Sequence, residues 1–302
     1  MNGQRGIRLL LADVDGTLVT RDKVLTEATK AAATELHDAG LVLAITSGRP
    51  PRGMSMLIEP LNLQAPIAGF NGGVFVNPDL SVIESHTIDV ATARRTLQLM
   101  LDHDLDAWIY TADDWFIRDK YAPHVARETS TVRFEAKVVT SFSDEHLARA
   151  VKIVGVSDDL RLVTNCEEVA QRTLGKTASA ARSQPYYLDV THPKANKGTV
   201  VTTLSKFFDI RSDQIATIGD MPNDVSMFRK SGFSIAMGNS SDEVKSQAGA
   251  VTDTNENEGF AKAVRKFVLR STITVRFGHL ERSRPRPRWR YRRPAHTFSS
   301  RT

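Results

Sequence analysis

The amino-terminal part of the chain alternates short apolar runs with one stretch of helical periodicity. Residues 7–12 form an apolar run that suits a strand buried on both faces and is too short for a buried helix. Residues 25–39 place apolar side chains at helical spacing, with Thr26 able to cap the helix and Gly40 able to end it. Residues 41–45 form a second buried strand. Strand, helix and strand in this order predict a right-handed parallel crossover.

From about residue 87 the pattern changes to shorter helices and strands. A helix over 90–103 precedes predicted strands at 107–111, 115–119 and 132–139, and a hairpin closes the segment. This order predicts an α+β layer inserted into the first domain. Its aromatic residues are predicted to be core residues, with contact to a substrate as the alternative: Trp108, Tyr110, Trp115 and Phe116.

After residue 196 the chain returns to the earlier pattern. A helix is predicted over 199–208, buried strands over 215–219 and 233–238, and a final amphipathic helix over 259–269. The predicted fold class is therefore α/β, with a doubly wound parallel sheet as the core and an inserted α+β domain.

Polar residues follow the first strand directly. Asp13 and Asp15 are two positions apart, so in an extended chain both leave the strand on one side, and Gly16 then permits a sharp turn. Open α/β sheets bind ligands beyond the carboxyl ends of their strands. Two carboxylates there need a cation or a proton, and oxygen ligands suit Mg2+. Taken alone, this motif is more typical of a solvated acidic turn.

Other polar residues are predicted to meet at the same sheet edge. Ser47 follows the second strand, Lys197 precedes a helix of the same sheet, and three residues follow the strand over 215–219: Asp220, Asn223 and Asp224. Carboxylates, a hydroxyl and one cation around a metal are the groups that phosphoryl transfer needs, because that reaction requires an aligned nucleophile and charge neutralisation.

These motifs together resemble those of the haloacid dehalogenase (HAD) superfamily, in its Cof-like sugar phosphatase branch with a type IIB cap. The matching pieces are DVDGTL at 13–18, SGR at 47–49, Lys197 with Gly198, and GDMPND at 219–224. Only the interval between the second and third pieces has room for a cap. The resemblance implies a HAD-like core over 1–84 and 186–270 and a cap over 85–185.

The resemblance also implies the catalytic roles. Asp13 would be the nucleophile that forms an aspartyl-phosphate, and Asp15 the general acid and then the base. Mg2+ would be the cofactor, held by Asp13, the backbone carbonyl of Asp15 and Asp220, with Asp224 supporting it. Phosphate-binding roles are implied for Ser47, Gly48, Lys197 and Asn223.

Alternatives remain for several of these residues. Ser47, Asn223 and Asp224 are also typical helix caps, and Lys197 is also compatible with a solvated position. Arg49 is predicted to be structural, pairing near the sheet edge rather than acting in catalysis. Asn71 lies close to the site in the family pattern, but a role in substrate binding is the less favoured interpretation of this residue.

Composition separates the tail from the rest of the chain. Of the 302 residues one is cysteine, Cys166, which excludes an intrachain disulfide and fits a reducing compartment. The sequence has no apolar stretch of membrane-spanning length. A cytoplasmic protein is therefore expected. The net charge is +5, but residues 271–302 contain nine arginines and one glutamate, so the remainder carries −3. This basic tail is expected to be disordered.

The predicted function is a Mg2+-dependent phosphatase acting on small phosphate monoesters, with a phosphorylated metabolite as its partner. The oligomeric state is left open. A phosphomutase of the same superfamily is one alternative, and a receiver domain is disfavoured by Asp15 and by the long insertion. A third alternative is non-specific nucleic-acid binding through the tail.

Overall fold

The computed structural model describes residues 6–269, so the predicted disorder of the tail at 271–302 lies outside the described residues. The strands in this part of the chain are β1 (Leu9–Asp13), β2 (Val42–Thr46), β3 (Ile67–Gly69), β4 (Val74–Val76), β5 (Val82–Ser85), β6 (Asp106–Tyr110), β7 (Trp115–Ile117), β8 (Lys137–Val138), β9 (Lys152–Val156), β10 (Ser179–Gln184), β11 (Tyr187–Thr191), β12 (Ile215–Gly219), β13 (Phe233–Ala236) and β14 (Ala250–Val251).

The α-helices are α1 (Glu27–Asp38), α2 (Val90–Asp102), α3 (Val125–Val132), α4 (Asp144–Ala148), α5 (Leu160–Leu174), α6 (Lys197–Phe207), α7 (Val225–Phe228), α8 (Asp242–Ser246) and α9 (Gly259–Ala263). Short 3-10 helices cover Pro51–Leu57, Phe70–Gly72, Ser212–Gln214, Pro222–Asp224 and Asn255–Asn257, and a π-helical turn, Val264–Val268, follows α9.

The larger sheet has eight strands in the order β14-β13-β12-β1-β2-β3-β4-β5. In this spatial order the first six strands, from β14 at the edge to β3, run parallel to one another. Strands β4 and β5 complete the sheet with antiparallel pairings. All five residues of both β1 and β12 are buried, as the apolar runs predict for strands covered on both faces. The doubly wound parallel core predicted from the sequence is confirmed.

The strand order places β1 at the switch point of this sheet. From β1 the chain winds outward through β2 and β3, and it later returns through β12 on the other side of β1 before moving outward again. Crevices at such switch points, beyond the carboxyl ends of the strands, are where open α/β sheets bind ligands. The loops after β1, β2 and β12 therefore meet in one place.

The smaller sheet has six strands in the order β10-β11-β9-β6-β7-β8 and is antiparallel except for the pair β7 and β8. This is the inserted α+β layer, which we call the cap. Because β11 pairs with β9 and β10, we infer that the cap extends to Thr191 rather than ending at residue 185 as predicted from the sequence.

The two faces of the cap sheet are covered differently. Side chains such as Ile109 and Ile153 pack with residues of α2 and α5 in a core of the cap's own. The alternate positions, including Trp108, Tyr110 and Trp115, join one continuous apolar cluster with the larger domain. The prediction that these three are core residues is thus met, and Phe116 packs on the opposite face.

One predicted element of the cap is wrong. Alternating apolar residues favoured a strand over 132–139. In the structure, α3 covers Val125–Val132, and the strand is limited to Lys137–Val138. Helix α3 begins after His124, which has left-handed backbone angles and makes no side-chain cap hydrogen bond, so the sequence carries no start signal there. Helix α3 packs on the 3-10 helix Pro51–Leu57 of the larger domain.

Other boundaries differ by a few residues. The final predicted helix, over 259–269, is divided into α9 and a π-helical turn. Among residues 6–269, no helix combines the length and apolar character needed to cross a membrane.

Candidate active site

Asp13 lies at the carboxyl end of β1 and is 4% exposed. Its partner is Lys197, the first residue of α6, whose Nζ donates to Asp13 Oδ1 at 2.5 Å and to Asp224 Oδ1 at 2.6 Å. Lys197 is 2% exposed, which excludes the solvated alternative. An ammonium buried at this depth is retained only because two carboxylates pair with it.

Three carboxylates converge beside this ammonium. Asp13, Asp220 and Asp224 each offer an oxygen, and these atoms lie within 4.8 Å of one another. Burial raises the pKa of Asp13 well above its usual value, and the charges of Asp224 and Asp220 add to this against the opposing charge of Lys197. Burial and then the Asp224 charge raise the pKa of Asp220 to about 6. The cluster thus carries more negative charge than one ammonium offsets.

The pKa of Lys197 is raised, although burial acts to lower it, because Asp13 and Asp224 both stabilise the ammonium. Lys197 is therefore charged throughout the physiological pH range. A fixed cation touching the carboxylate at the end of β1 is suited to lowering the energy of further negative charge there.

Asp224 uses both carboxylate oxygens within the protein. Oδ1 accepts from Lys197, and Oδ2 accepts the backbone N–H groups of Asp220 at 2.9 Å and Met221 at 2.8 Å. The side chain thus also caps the short 3-10 helix that follows β12, so the alternative role as a cap and the role in the site coexist. Because its oxygens are engaged, Asp224 is suited to positioning Asp220 and Lys197.

Asp220 lies under the turn at Gly16. Thr17 Oγ1 donates to Asp220 Oδ1 at 3.5 Å, and Asn239 Nδ2 donates to Oδ2 at 3.1 Å. Gly16 has a φ of 80°, and a Cβ there would lie 2.2 Å from Asp220 Oδ2. Glycine is therefore required both for the left-handed backbone and for the close approach.

Asp15 is held by two cations. Arg49 donates from Nε to Asp15 Oδ2 at 2.7 Å and from one terminal nitrogen to Oδ1 at 2.5 Å, and Lys23 Nζ lies 2.6 Å from Oδ1. Burial alone would raise the pKa of Asp15, but the hydrogen bonds and charges of Arg49 and Lys23 outweigh it and lower the pKa. Arg49 does pair at the sheet edge as predicted, and its partner is the proposed general acid.

Asn71 connects the SGR motif at 47–49 with the GDMPND motif at 219–224. Its backbone N–H donates to the Ser47 carbonyl at 2.7 Å, and its Oδ1 accepts from Asn223 Nδ2 at 3.2 Å. The Ser47 hydroxyl is buried and accepts the Arg49 backbone N–H at 3.1 Å, so it also shapes its own loop. Gly48 faces the Asn71 side chain, because a Cβ added at Gly48 would lie 3.7 Å from both Oδ1 and Nδ2 of Asn71.

All the residues singled out from the sequence thus lie around the carboxyl ends of β1, β2 and β12. Two neighbours were missed: Lys23 and Asn239. Asn239 follows β13 and bridges the Gly16 carbonyl and Asp220, and Lys23 follows the acidic loop. A search for polar residues after every predicted strand would have found Asn239, whereas no spacing rule indicates Lys23.

The carboxylates can hold a metal ion. Asp13 and Asp220 offer oxygen ligands of the kind a hard divalent cation prefers, and the excess negative charge in a buried site favours a cation. The donor set therefore fits the metal that the sequence motifs imply.

A family comparison agrees with this geometry. The family model of the haloacid dehalogenase-like hydrolases matches residues 10–264, and the chain belongs to that family. Among its relatives is the Bacillus subtilis protein 5-amino-6-(5-phospho-D-ribitylamino)uracil phosphatase YcsE. The two chains are 24% identical over 263 residues, which cover 87% of this chain and 96% of the relative.

Solved structures show the same fold. A haloacid dehalogenase-like hydrolase from Bacteroides thetaiotaomicron superposes with a TM-score of 0.79 at 23% identity, covering 86% of this chain and 99% of that one. A sugar phosphatase of HAD subclass IIB superposes with a TM-score of 0.73 at 20% identity, covering 87% and 99%. The predicted family, fold class and hydrolase activity are confirmed.

Proposed function

We propose that this enzyme is a Mg2+-dependent phosphatase that hydrolyses small phosphate monoesters through a phosphorylated Asp13. The observation that carries this proposal is the buried Asp13 carboxylate, paired with Lys197 at 2.5 Å and accompanied by Asp220 at the switch point of the sheet. A buried anion with a fixed cation beside it is suited to attack on a phosphorus atom and to the charge that develops there.

In the first step an Asp13 oxygen attacks phosphorus and the bond from phosphorus to the ester oxygen breaks. Asp15 gives its proton to the departing alcohol, which leaves an aspartyl-phosphate. In the second step Asp15 takes a proton from water as the water oxygen attacks the same phosphorus. The bond between phosphorus and Asp13 breaks, and inorganic phosphate leaves.

Arg49 and Lys23 bear on the timing of this proton transfer. Both stabilise ionised Asp15 in the present conformation, whereas a general acid must carry a proton. A phosphate dianion binding nearby competes for these two cations, because charge-assisted hydrogen bonds to phosphate are strong. We infer that this competition frees Asp15 to accept a proton when a substrate is in place.

Asp13, the Asp15 backbone carbonyl and Asp220 would hold Mg2+, with Asp224 positioning Asp220. The ion, when bound, neutralises phosphoryl charge and polarises the phosphorus–oxygen bonds. Ser47, the Gly48 amide, Lys197 and Asn223 would contact phosphate oxygens.

A phosphate-release screen over sugar phosphates, nucleotides and cofactor phosphates with Mg2+ tests the proposal. Asp13→Asn should abolish release because it removes the anionic nucleophile while nearly keeping its shape. Asp38→Asn is the matched control, since Asp38 is exposed at the far end of α1. Wild-type rates in Asp13→Asn would show that the mechanism is wrong.

The same assay addresses the alternatives. A phosphomutase would keep phosphate on an isomerised or bisphosphorylated product, so product analysis separates it from a phosphatase. Nucleic-acid binding would depend on the basic tail, because the rest of the chain carries a net charge of −3. It would fall with rising salt and disappear when the tail is removed.

A further inference from the structure

Two linkers join the cap to the larger domain, and the first residue of each is a histidine. The first linker, residues 86–89, runs from β5 to α2, and the second, residues 192–196, runs from β11 to α6. The rings of His86 and His192 stack on one another, with centroids 5.5 Å apart and planes at 27°. Two titratable side chains thus meet where the chain leaves the larger domain and where it returns.

Both linkers also contact one glycine turn of the larger domain. The His86 backbone N–H donates to the Gly73 carbonyl at 2.8 Å. A Cβ added at Gly73 would lie 3.5 Å from the Cβ of Ala195, and one added at Gly72 would lie 3.3 Å from the carbonyl oxygen of Asn196. Separating the two linkers would therefore disturb this turn.

His192 is neutral in this arrangement. Its Nδ1 accepts the Lys194 backbone N–H at 3.0 Å, and because a backbone amide only donates, that ring nitrogen carries no proton. The His192 carbonyl accepts the Ala195 backbone N–H at 2.8 Å. Asn196 then caps α6, whose first residue is Lys197. The neutral ring thus orders the linker that leads to Lys197.

The charged groups around the two rings do not balance two protonated histidines. Glu84 Oε1 lies 3.6 Å from His86 Nε2 and can offset one imidazolium. Burial, and then the positive charges of His86 and Lys194, lower the pKa of His192. Glu84 therefore compensates the protonation of His86, whereas protonation of His192 adds a positive charge that none of these neighbours offsets.

Protonation of His192 would act on the linkers in two ways. Nδ1 would carry a proton and could no longer accept the Lys194 N–H, so the second linker would lose that hydrogen bond. Two imidazolium rings with centroids 5.5 Å apart would also repel, and more strongly than in bulk water because the His86 side chain is only 12% exposed. Both effects favour separation of the two linkers.

We propose that His86 and His192 form a pH-sensitive latch, in which the neutral stacked rings hold the two linkers together and fix the cap on the larger domain, and protonation of both rings releases the linkers. This inference goes beyond the proposed function, because it concerns the linkers and not the site at Asp13. Histidine is the side chain whose ordinary pKa lies between pH 5 and 8. Release should occur below about pH 6.5, because burial and the neighbouring charges favour neutral His192.

Titration of the histidine rings by NMR tests the coupling between them. His86→Phe keeps a stacked ring and removes its charge, so the pKa of His192 should rise toward its ordinary value of about 6.5. His103→Asn is the matched control, because His103 lies elsewhere in the cap, with its Nδ1 2.8 Å from the Leu99 carbonyl oxygen, and its loss should leave the pKa of His192 unchanged. A pKa of His192 that does not rise in His86→Phe would overturn the proposal.

Hydrogen exchange in the wild-type protein tests the second linker without any substitution. Protection of the Lys194 amide, corrected for the intrinsic pH dependence of exchange, should fall about tenfold as His192 becomes protonated, because the amide loses its acceptor. Protection that stays constant through the titration of His192 would overturn the proposal.

The position of the cap is measured by pulsed electron spin resonance between spin labels at Asp38→Cys in the larger domain and Glu168→Cys in the cap. Both sites are exposed, and the native Cys166 is buried. The distance distribution should be narrow at pH 8 and broader at pH 5. It should stay narrow at pH 5 when His86→Phe and His192→Phe are combined, because these rings stack but cannot be protonated.

The outcomes decide the proposal without reference to turnover. Broadening at pH 5 that the double substitution abolishes, with thermal midpoints at pH 8 near that of the wild type, would support the latch. An unchanged distribution between pH 8 and pH 5, or equal broadening with and without the histidines, would overturn it. Loss of the phosphatase proposal would leave these measurements valid, because none of them requires a substrate.

Discussion

Lys197→Met is the sharpest test of the charge arrangement at the end of β1. Methionine keeps much of the volume of the lysine stem and removes the ammonium. Asp13 and Asp224 then lose their charged hydrogen bonds of 2.5 and 2.6 Å, and three carboxylates remain within 4.8 Å of one another. The perturbation leaves buried negative charge without its protein counterion.

The expected cost follows from burial. Removing one partner of a buried ion pair typically destabilises a protein by about 3–5 kcal/mol, because the other partner stays buried and uncompensated. Lys197 is 2% exposed and Asp224 fully buried, so solvent screening should not reduce this figure much. For a chain of this size about 2 °C of thermal midpoint corresponds to 1 kcal/mol, which gives a fall of about 6–10 °C.

The assay is thermal unfolding at pH 8 with a chelator, which keeps divalent cations from replacing the lost charge. Lys194→Met is the matched control, because Lys194 is exposed three residues earlier in the chain. Its midpoint should stay within about 1 °C of the wild type. A fall of less than about 2 °C in Lys197→Met would refute the idea that Lys197 is the main counterion of this cluster.

Two other predictions concern a glycine and a histidine. Gly16→Ala should lower turnover about 100-fold by displacing Asp220, since misplacement of a catalytic group by about 1 Å can cost that much. Gly40→Ala is the control. Gly40 has nearly the same φ, 79°, but nothing lies within 4 Å of a Cβ added there. Equal turnover in the two variants would contradict the close approach. Burial, and then the charge of nearby His86, lower the pKa of His192, whose ring stacks on that of His86 with centroids 5.5 Å apart. Protonation of His192 therefore costs more in the folded state than in the unfolded state, so the stability of the protein should fall as pH drops through about 6.5. His192→Gln should flatten the dependence of the thermal midpoint on pH between pH 8 and 5. An unchanged slope in this variant would count against the prediction.

The sequence predicted the core of the fold well because its signals there are local. Short apolar runs marked β1, β2 and β12, and polar residues directly after them marked the site. Chain topology then brings those strand ends together whatever the loops do. That is why Asp13, Lys197 and Asp224, far apart in sequence, could be placed in one site without coordinates.

The cap could not be predicted to the same depth. Helix α3 lacks a start signal, and the alternating apolar residues after it favoured a strand instead. Glu128, which α3 carries, therefore had no predicted location. Lys152 and Asp189 are ordinary charged residues in sequence, and only the register of β9 with β11 brings them together on the cap face that packs against the larger domain.

The charged residues around Asp13 come from one domain. The ammonium and carboxylates at the end of β1 come entirely from the larger domain, so the proposed chemistry at phosphorus does not require a particular cap residue. Arg49 bonds to Asp15 and also lies within reach of the charge of Glu128, which α3 of the cap carries. A change of Lys152 or Asp189 in the cap should therefore leave the attack on phosphorus intact, whereas a change of Arg49 should impair it, because Arg49 bonds to the proposed general acid Asp15.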